Sequence, residues 1–577
     1  MRVSFDYQTL ISGVSLSGLV ENSCFMPGSG ASPARHTLSH TLLFPKASIH
    51  TDSSLLKSRR AGLTVDKLPQ CELSVVSVEG CLVPENRSLI HCQIGDCFWS
   101  IVFSPGRTWS QLSDGGMSRA TLPFQLCNVL ENDTHHGLIT FLFSDETVSF
   151  AYFQIVTETA PFLIEDSFDG WGVIKISKQT RINQRRMERV IRQYEKEKKD
   201  QLELQDIAYV SNKVPTSLLH DLIVGFGADT TIVSGLVIGN EIFTTDCHTR
   251  AGPFPLPRSM RFGIWSATKT AFATIAVLRL GQKFGEDCRG ARIAELLPEA
   301  KDATQWNNVT IGHCLDMATA VGTVAPNKEV NDIFADYILD EATAKLSNDH
   351  KNSFDHYFSW FLARDQRTKN LAAVRCPRYP WAPGAISRYR DQDLYLAGAA
   401  MDAWLKKRQG TGATLVDLVL QEVYEVAGMH HVVKFETVET QSERKIPLTQ
   451  SGLLLTIDNV ARLGKLLQND GVVEDQQLLS SALINEIFNP TVEKGLRTGK
   501  YTEDGEIHYC CATWHIPYRA KAGKLFWLPT MWGYGGQIIQ LLPNGMVAFR
   551  FAHDSSETEE RYDLLKFARI ADALTPF

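Results

Sequence analysis

From 267 to 280 the sequence reads as a helix with almost no charge. Such a helix has no face it can leave in water, so it must be buried on every side, and that demands a sizeable domain around it. It starts directly after Trp265-Ser266. Upstream, the alternating apolar residues of TTIVSGLVIGNEIFTTD and the Gly239-Asn240 pair predict a β-hairpin, with a short helical piece at 217–226 before it. Downstream, helical patterns dominate 290–470. The chain closes with strands at 537–542 and 546–551 around Pro543-Asn-Gly, then a helix over 561–574.

The text before residue 214 divides into three parts. Residues 1–60 are rich in Ser, Thr, His, Pro and Gly without periodicity, and are expected to be a low-order lead-in. Over 61–179, β-prone runs such as CELSVVSVEGCLV, FWSIVF and TVSFAYFQIV alternate with turn signals at 105–106, 114–116 and 132–133, predicting a β-rich domain of unassigned role. Over 180–213 a charged connecting helix carries Met187, Val190, Ile191 and Tyr194 on one stripe, and is expected to be a solvated spacer. The resulting fold class is α+β: an antiparallel sheet flanked by helices, with an all-helical subdomain, behind a smaller β-rich N-terminal domain.

Composition excludes several functions. The 577 residues carry 58 Lys+Arg against 65 Asp+Glu, a net charge of −7. The densest basic stretch, 181–199, is broken by Glu188, Glu195 and Glu197, so no nucleic-acid partner is expected. The most apolar long stretch, 222–239, holds Asp229 and four glycines, and reads as core rather than a membrane span. Twelve cysteines are too few for a disulfide scaffold. Cys92 and Cys97 lack a second pair to complete a zinc set, and Asp133, His135 and His136 read as a surface loop, so neither metal nor cofactor is expected. The stretch 10–20 is a poor leader, being interrupted by serines and glycines and preceded by Asp6. A cytoplasmic location is therefore expected. Secretion, which would bring the sequons at Asn86, Asn132 and Asn308 into play, is the alternative.

Ser266-Ala-Thr-Lys269 carries the chemistry. A serine hydroxyl needs a base to become a nucleophile. Positions i and i+3 share a helix face, so Lys269 falls within reach of Ser266. Burial beside an apolar helix is expected to depress the lysine and leave a neutral, basic amine. The start of the helix supplies N–H groups where an oxyanion forms. The same spacing at Ser54–Lys57 and Ser442–Lys445 precedes no buried helix and reads as chance.

Around this motif lie WAPGAISRYRDQDLYLAGAAM (381–401), NVTIGHCLDMATAVG (308–322), SGLLLTIDNVARLGKLLQNDG (451–471) and WGYGGQIIQLLPNG (532–545). In this order they resemble the serine β-lactamase and penicillin-binding protein superfamily, and within it the class C-related esterase branch, over 214–577. The resemblance implies Ser266 as acylated nucleophile, with Lys269 and Tyr389 as general acid-base partners. It implies an oxyanion hole from the backbone N–H of Ser266 and Gln537. Asp391, Trp532, Tyr534, Gly535 and Gly536 would line the substrate. The implied activity is hydrolysis of a small-molecule ester or amide, with acyl transfer or a catalytically degenerate binding scaffold as alternatives.

Three positions depart from the family pattern. Tyr534 stands where Lys or His would supply charge for a substrate carboxylate. Asp391 stands where Asn is usual, and Met317-Ala-Thr-Ala replaces His-Thr-Ser-Gly. They favour a neutral or cationic substrate. The sequence leaves the oligomeric state open.

Overall fold

The computed structural model describes residues 5–52, 65–91, 98–128, 130–164, 166–215, 217–218, 230–324, 332–337, 348–439, 445–554 and 563–577. Cys92 and Cys97, the Ser54–Lys57 stretch, Ser442 and most of 217–226 lie outside them.

Two sheets organise the chain, antiparallel throughout except that the edge strand Glu203–Asp206 of the second pairs in parallel with Glu241–Thr244. In the N-terminal sheet, Gly170–Ile174, Val148–Glu158, His135–Phe143, Ser118–Cys127, Gly106–Ser110, Cys81–Pro84, Cys71–Val78, Ser39–Phe44 and Ser177–Arg181 follow in that spatial order, with Ser100–Phe103 also on Ser118–Cys127. The C-terminal sheet has nine strands, in the order Glu203–Asp206, Glu241–Thr244, Thr231–Ile238, Val547–Ala552, Gln537–Leu541, Leu525–Gly533, Thr513–Arg519, Gly505–Cys510 and Leu496–Thr502. The Gly239-Asn240 turn joins Ile238 to its partner Glu241. In sequence, most helices, including the long Asp391–Gln409, lie between the strands Glu241–Thr244 and Leu496–Thr502 of this second sheet. The molecule is thus α+β. Among the described residues no helix is long and apolar enough to cross a membrane.

Residues 5–52 are ordered, not a loose lead-in. Asp6 caps the helix Tyr7–Ser12 by accepting from Thr9 N at 2.7 Å, and Gly13 closes it in the left-handed region. Leu10, Phe25 and Leu38 are fully buried. Ser39–Phe44 pairs with both Cys71–Val78 and Ser177–Arg181. Isolated apolar residues are anchored here by long-range pairing, which leaves no local period to read.

The helix Gln184–Asp200 is packed, not a solvated spacer. Its N-cap Asn183 accepts from Arg186 N. Val190 and Tyr194 bury against Val76, Val78, Cys81, Val83 and Ile182. Burying such a side chain contributes about 1.5–3 kcal/mol. The Asp133, His135 and His136 group is likewise not a surface loop. All three are fully buried, the histidines opening the strand His135–Phe143, and His135 Nε2 lies 2.8 Å from an Asp133 carboxylate oxygen. Asn132, in one sequon, is fully buried as well.

One apolar core is shared by both sheets, from Leu138 and Tyr152 to Ile232, Phe262 and Phe549, and a second, with Leu73, Phe124 and Phe153, belongs to the N-terminal sheet alone. The two halves touch closely at Gly263, where a Cβ would lie 1.6 Å from Asn132 O. The apolar run after Ser266 forms a wide π-turn, Lys269–Thr274, continuing as the helix Ile275–Phe284. All six residues of the turn are buried. Thr270 and Thr274 donate to Ala512 O and Cys511 O at 2.6 Å each, satisfying hydroxyls that water cannot reach.

Candidate active site

Ser266 follows the short strand Phe262–Gly263, which pairs with Leu453–Leu455. Trp265 takes φ +47°, a left-handed conformation that costs a side-chain-bearing residue roughly 1–3 kcal/mol. Its indole holds it there, donating from Nε1 to Ala160 O at 2.9 Å. The chain then winds up at once: Ala267 N donates to Ile264 O, Thr268 N to Trp265 O and Lys269 N to Ser266 O. The half-buried Ser266 therefore sits in the first turn, its own carbonyl already bonded by Lys269 N.

Lys269 is buried, one helical turn on. Its Nζ donates to Ser266 Oγ at 2.6 Å and to Gln450 O at 3.0 Å. It also lies 2.7 Å from Asp391 Oδ1 and 4.8 Å from the centre of the Tyr389 ring.

Tyr389 reaches this point because the segment before it is pinned. Gly384 N donates to Ala318 O, Arg388 N to Met317 O and Tyr389 N to Ile333 O, each at 2.7 Å. Arg390 is extended (φ −140°, ψ 112°), so side chains alternate across the backbone. Tyr389 and Asp391 face Lys269, while Arg390 turns to Asp393 and Cys376. Ser266 and Lys269 both act on the Tyr389 phenol, each pulling its pKa down. Asp391 opens the helix Asp391–Gln409, and its second oxygen accepts from the Tyr357 hydroxyl at 2.9 Å.

The electrostatics correct one expectation. Burial, the largest influence on Lys269, pushes its amine down, but Asp391 and Tyr389 more than offset this and hold it above its ordinary value. Lys269 thus rests as an ammonium, not a neutral amine, because a carboxylate stands where the family pattern has an amide. Burial pushes the Tyr389 phenol up and Asp391 adds to this, while Lys269 pulls it down. The net direction is up, so it rests protonated.

Strands Leu525–Gly533 and Gln537–Leu541 run past the serine turn, and Gly533 shows how closely: a Cβ there would lie 2.2 Å from Ile264 O. Tyr534-Gly535-Gly536 connects them, the two glycines at φ +73° and +82°. Gln537 braces this turn through its side-chain amide, donating to Tyr534 O, Gly535 O and Ala552 O. Tyr534 lies 5.7 Å from Trp265, ring centre to centre, and Trp532 5.2 Å from Trp514. Ser266, Phe334, Tyr337, Trp532 and Tyr534 are all half-buried. Among the described residues no group of three or more His, Cys, Asp and Glu side chains is arranged for a metal ion.

The structure therefore brings Ser266, Lys269, Tyr389 and Asp391 together, with the 532–537 strands alongside. Sequence reasoning missed Tyr357, Tyr337 and Phe162. Tyr357 belongs to an aromatic helical stripe that reads as core, and nothing local marks Phe162.

No family model matches the chain, and no curated protein matches it. Among solved structures it is similar to a candidate 6-aminohexanoate-dimer hydrolase from Bacillus anthracis (20% identity, 62% of this chain and 82% of that one, TM-score 0.44). It is also similar to a family VIII carboxylesterase (14% identity, 63% of this chain and 96% of that one, TM-score 0.39). A third is a penicillin-binding protein homolog from Caulobacter crescentus (14%, 64% of this chain and 95% of that one, TM-score 0.39). The functional reading rests on the geometry above.

Proposed function

We propose that the protein is a serine hydrolase that cleaves a small, uncharged ester or amide through an acyl-enzyme on Ser266. The observation that carries this is the 2.6 Å contact between Ser266 Oγ and the buried Lys269 amine, with the centre of the Tyr389 ring 4.8 Å from that amine.

Lys269 passes one proton to Asp391 across their 2.7 Å contact, which leaves a neutral amine and a neutral acid in a dry site. The amine takes the Ser266 proton as Oγ attacks the substrate carbonyl carbon. The oxyanion is held by the N–H groups of Ser266 and Gln537. As the tetrahedral intermediate collapses, Tyr389 gives its proton to the departing oxygen or nitrogen and regains one from Lys269. Lys269 then recovers its proton from Asp391. Water attacks the acyl-enzyme, losing its proton along the same route, and Ser266 is released.

The substrate class follows from the charges. Lys269 and Asp391 neutralise each other, and Tyr534 supplies no cation for a carboxylate. Lys500, over the Phe334 ring, is itself 3.4 Å from Asp332.

The test is a fluorophosphonate probe followed by intact mass, with turnover of p-nitrophenyl acetate measured in parallel. The wild type gains one adduct, and Ser266→Ala gains none and loses turnover. Lys269→Met and Tyr389→Phe each lose about 10²–10⁴-fold in rate. A Ser266→Ala protein that keeps full turnover refutes the proposal.

A further inference from the structure

The likeness in sequence begins at residue 214, yet one aromatic ring packed on Trp265 and Tyr534 comes from the N-terminal part of the chain. The strand Val148–Glu158 ends there, and the segment after it turns into the hydrolase half. Ala160 O accepts the Trp265 indole N–H at 2.9 Å, and Gly535 is so close that a Cβ on it would lie 2.2 Å from the Ala160 Cβ. Two residues on, the Phe162 ring lies 5.0 Å from Tyr534 and 5.6 Å from Trp265, edge to face with both. It stacks on Tyr337 at 6.5 Å with an interplanar angle of 13°. Phe162 thus links the residue before the nucleophile, the turn between the two strands beside it and the half-buried Tyr337.

This position is built. Glu131, fully buried, accepts from the backbone N–H groups of Phe162, Leu163 and Ile164 together, at 3.4 Å for the first and 2.7 Å for the last. Three donors on one side chain fix the turn that presents Phe162.

We infer that Phe162, itself 5% exposed, sets the specificity of the Ser266 site by positioning the half-buried Tyr534 and Tyr337 rings, so that the N-terminal segment shapes the substrate surface and the site selects neutral esters or amides bearing a flat apolar group. This rests on the hydrolase reading and deepens it. An aromatic wall contacts a flat ring through offset or edge-to-face packing that a small aliphatic group cannot match.

The experiment measures kcat/KM for two ester pairs: p-nitrophenyl benzoate against p-nitrophenyl acetate, and phenyl acetate against ethyl acetate. The wild type prefers the ring-bearing member of at least one pair. Phe162→Ala and Phe162→Leu lower that preference roughly tenfold. Phe162→Leu keeps an apolar side chain at the position and decides the matter if the alanine variant fails to fold. A purely structural role would slow all four esters alike and leave the ratios unchanged. Unchanged ratios, or a wild type that prefers neither ring, overturn the inference. Ser266→Ala is run on all four esters. If it is inactive while the ratios stand, only the role of Phe162 fails; if it is active, the hydrolase reading fails first.

Discussion

Lys269 Nζ sits 2.7 Å from Asp391 Oδ1 and 2.6 Å from Ser266 Oγ, so one buried ammonium bridges the nucleophile and a carboxylate. The carboxylate offsets the cost of burying the ammonium. Asp391→Asn breaks this. Burial, the largest influence on Lys269, then acts with less opposition and pulls the amine down. The wild type should show a flat kcat/KM through neutral pH. The variant should show a limb that falls as pH drops through the lysine's lowered pKa, because the amine must now lose its proton to solvent before it can act as a base. The pH–rate profiles of the two proteins check this, and superimposable profiles would rule out the proton shift to Asp391.

Tyr357 donates to the other Asp391 oxygen at 2.9 Å. A hydrogen bond to a charged group is worth about 1.5–3 kcal/mol, and the group it leaves unpaired here is buried. Tyr357→Phe keeps the ring and its packing, so the thermal midpoint should shift only slightly. The kcat/KM should fall roughly tenfold or more. A variant with unchanged kcat/KM would show that Asp391 needs no second partner.

What the sequence disclosed and what it hid divide along one physical line. The Ser266–Lys269 contact is local, set by helical spacing, and was legible. So was the hairpin at Gly239-Asn240, because turn chemistry is local too. Tyr389 and the 532–537 strands were legible only through a resemblance, since nothing in their own spacing places them beside Ser266. The charge of Lys269 was not legible, because it depends on which oxygen of a distant helix points at it. Phe162 was hidden for a stronger reason: its place is fixed by the registers of a whole sheet and by Glu131. The ordered residues 5–52 escaped for the same cause, their strand Ser39–Phe44 being held by partners on both sides.

Gly533 offers a steric test of how the serine turn is held. A Cβ at this position would lie 2.2 Å from Ile264 O and 3.1 Å from Ala267 N, both backbone atoms that cannot swing aside. Gly533→Ala must therefore part the strand from the turn that presents Ser266. A displacement of about 1 Å in a catalytic group can cost about a hundredfold in rate. The kcat/KM of Gly533→Ala should fall by at least that much, and its fluorophosphonate labelling should slow in parallel. Wild-type labelling kinetics would show that the strand and the serine turn are not mechanically joined.

His515 links the fold to pH. Both its ring nitrogens are buried without a hydrogen-bond partner, and burial pushes its pKa down to about 3. In the unfolded chain the imidazole titrates near its ordinary 6.5, so between these values the unfolded state binds the extra proton. Stability therefore falls as pH drops below about 6.5, at up to about 1.4 kcal/mol per pH unit from this residue alone. His515→Leu removes the titration and leaves no polar atom to satisfy. Urea unfolding at pH 7 and pH 5 should show the variant gaining on the wild type by about 2 kcal/mol at the lower pH. An equal loss in both proteins would mean that His515 is protonated in the folded state.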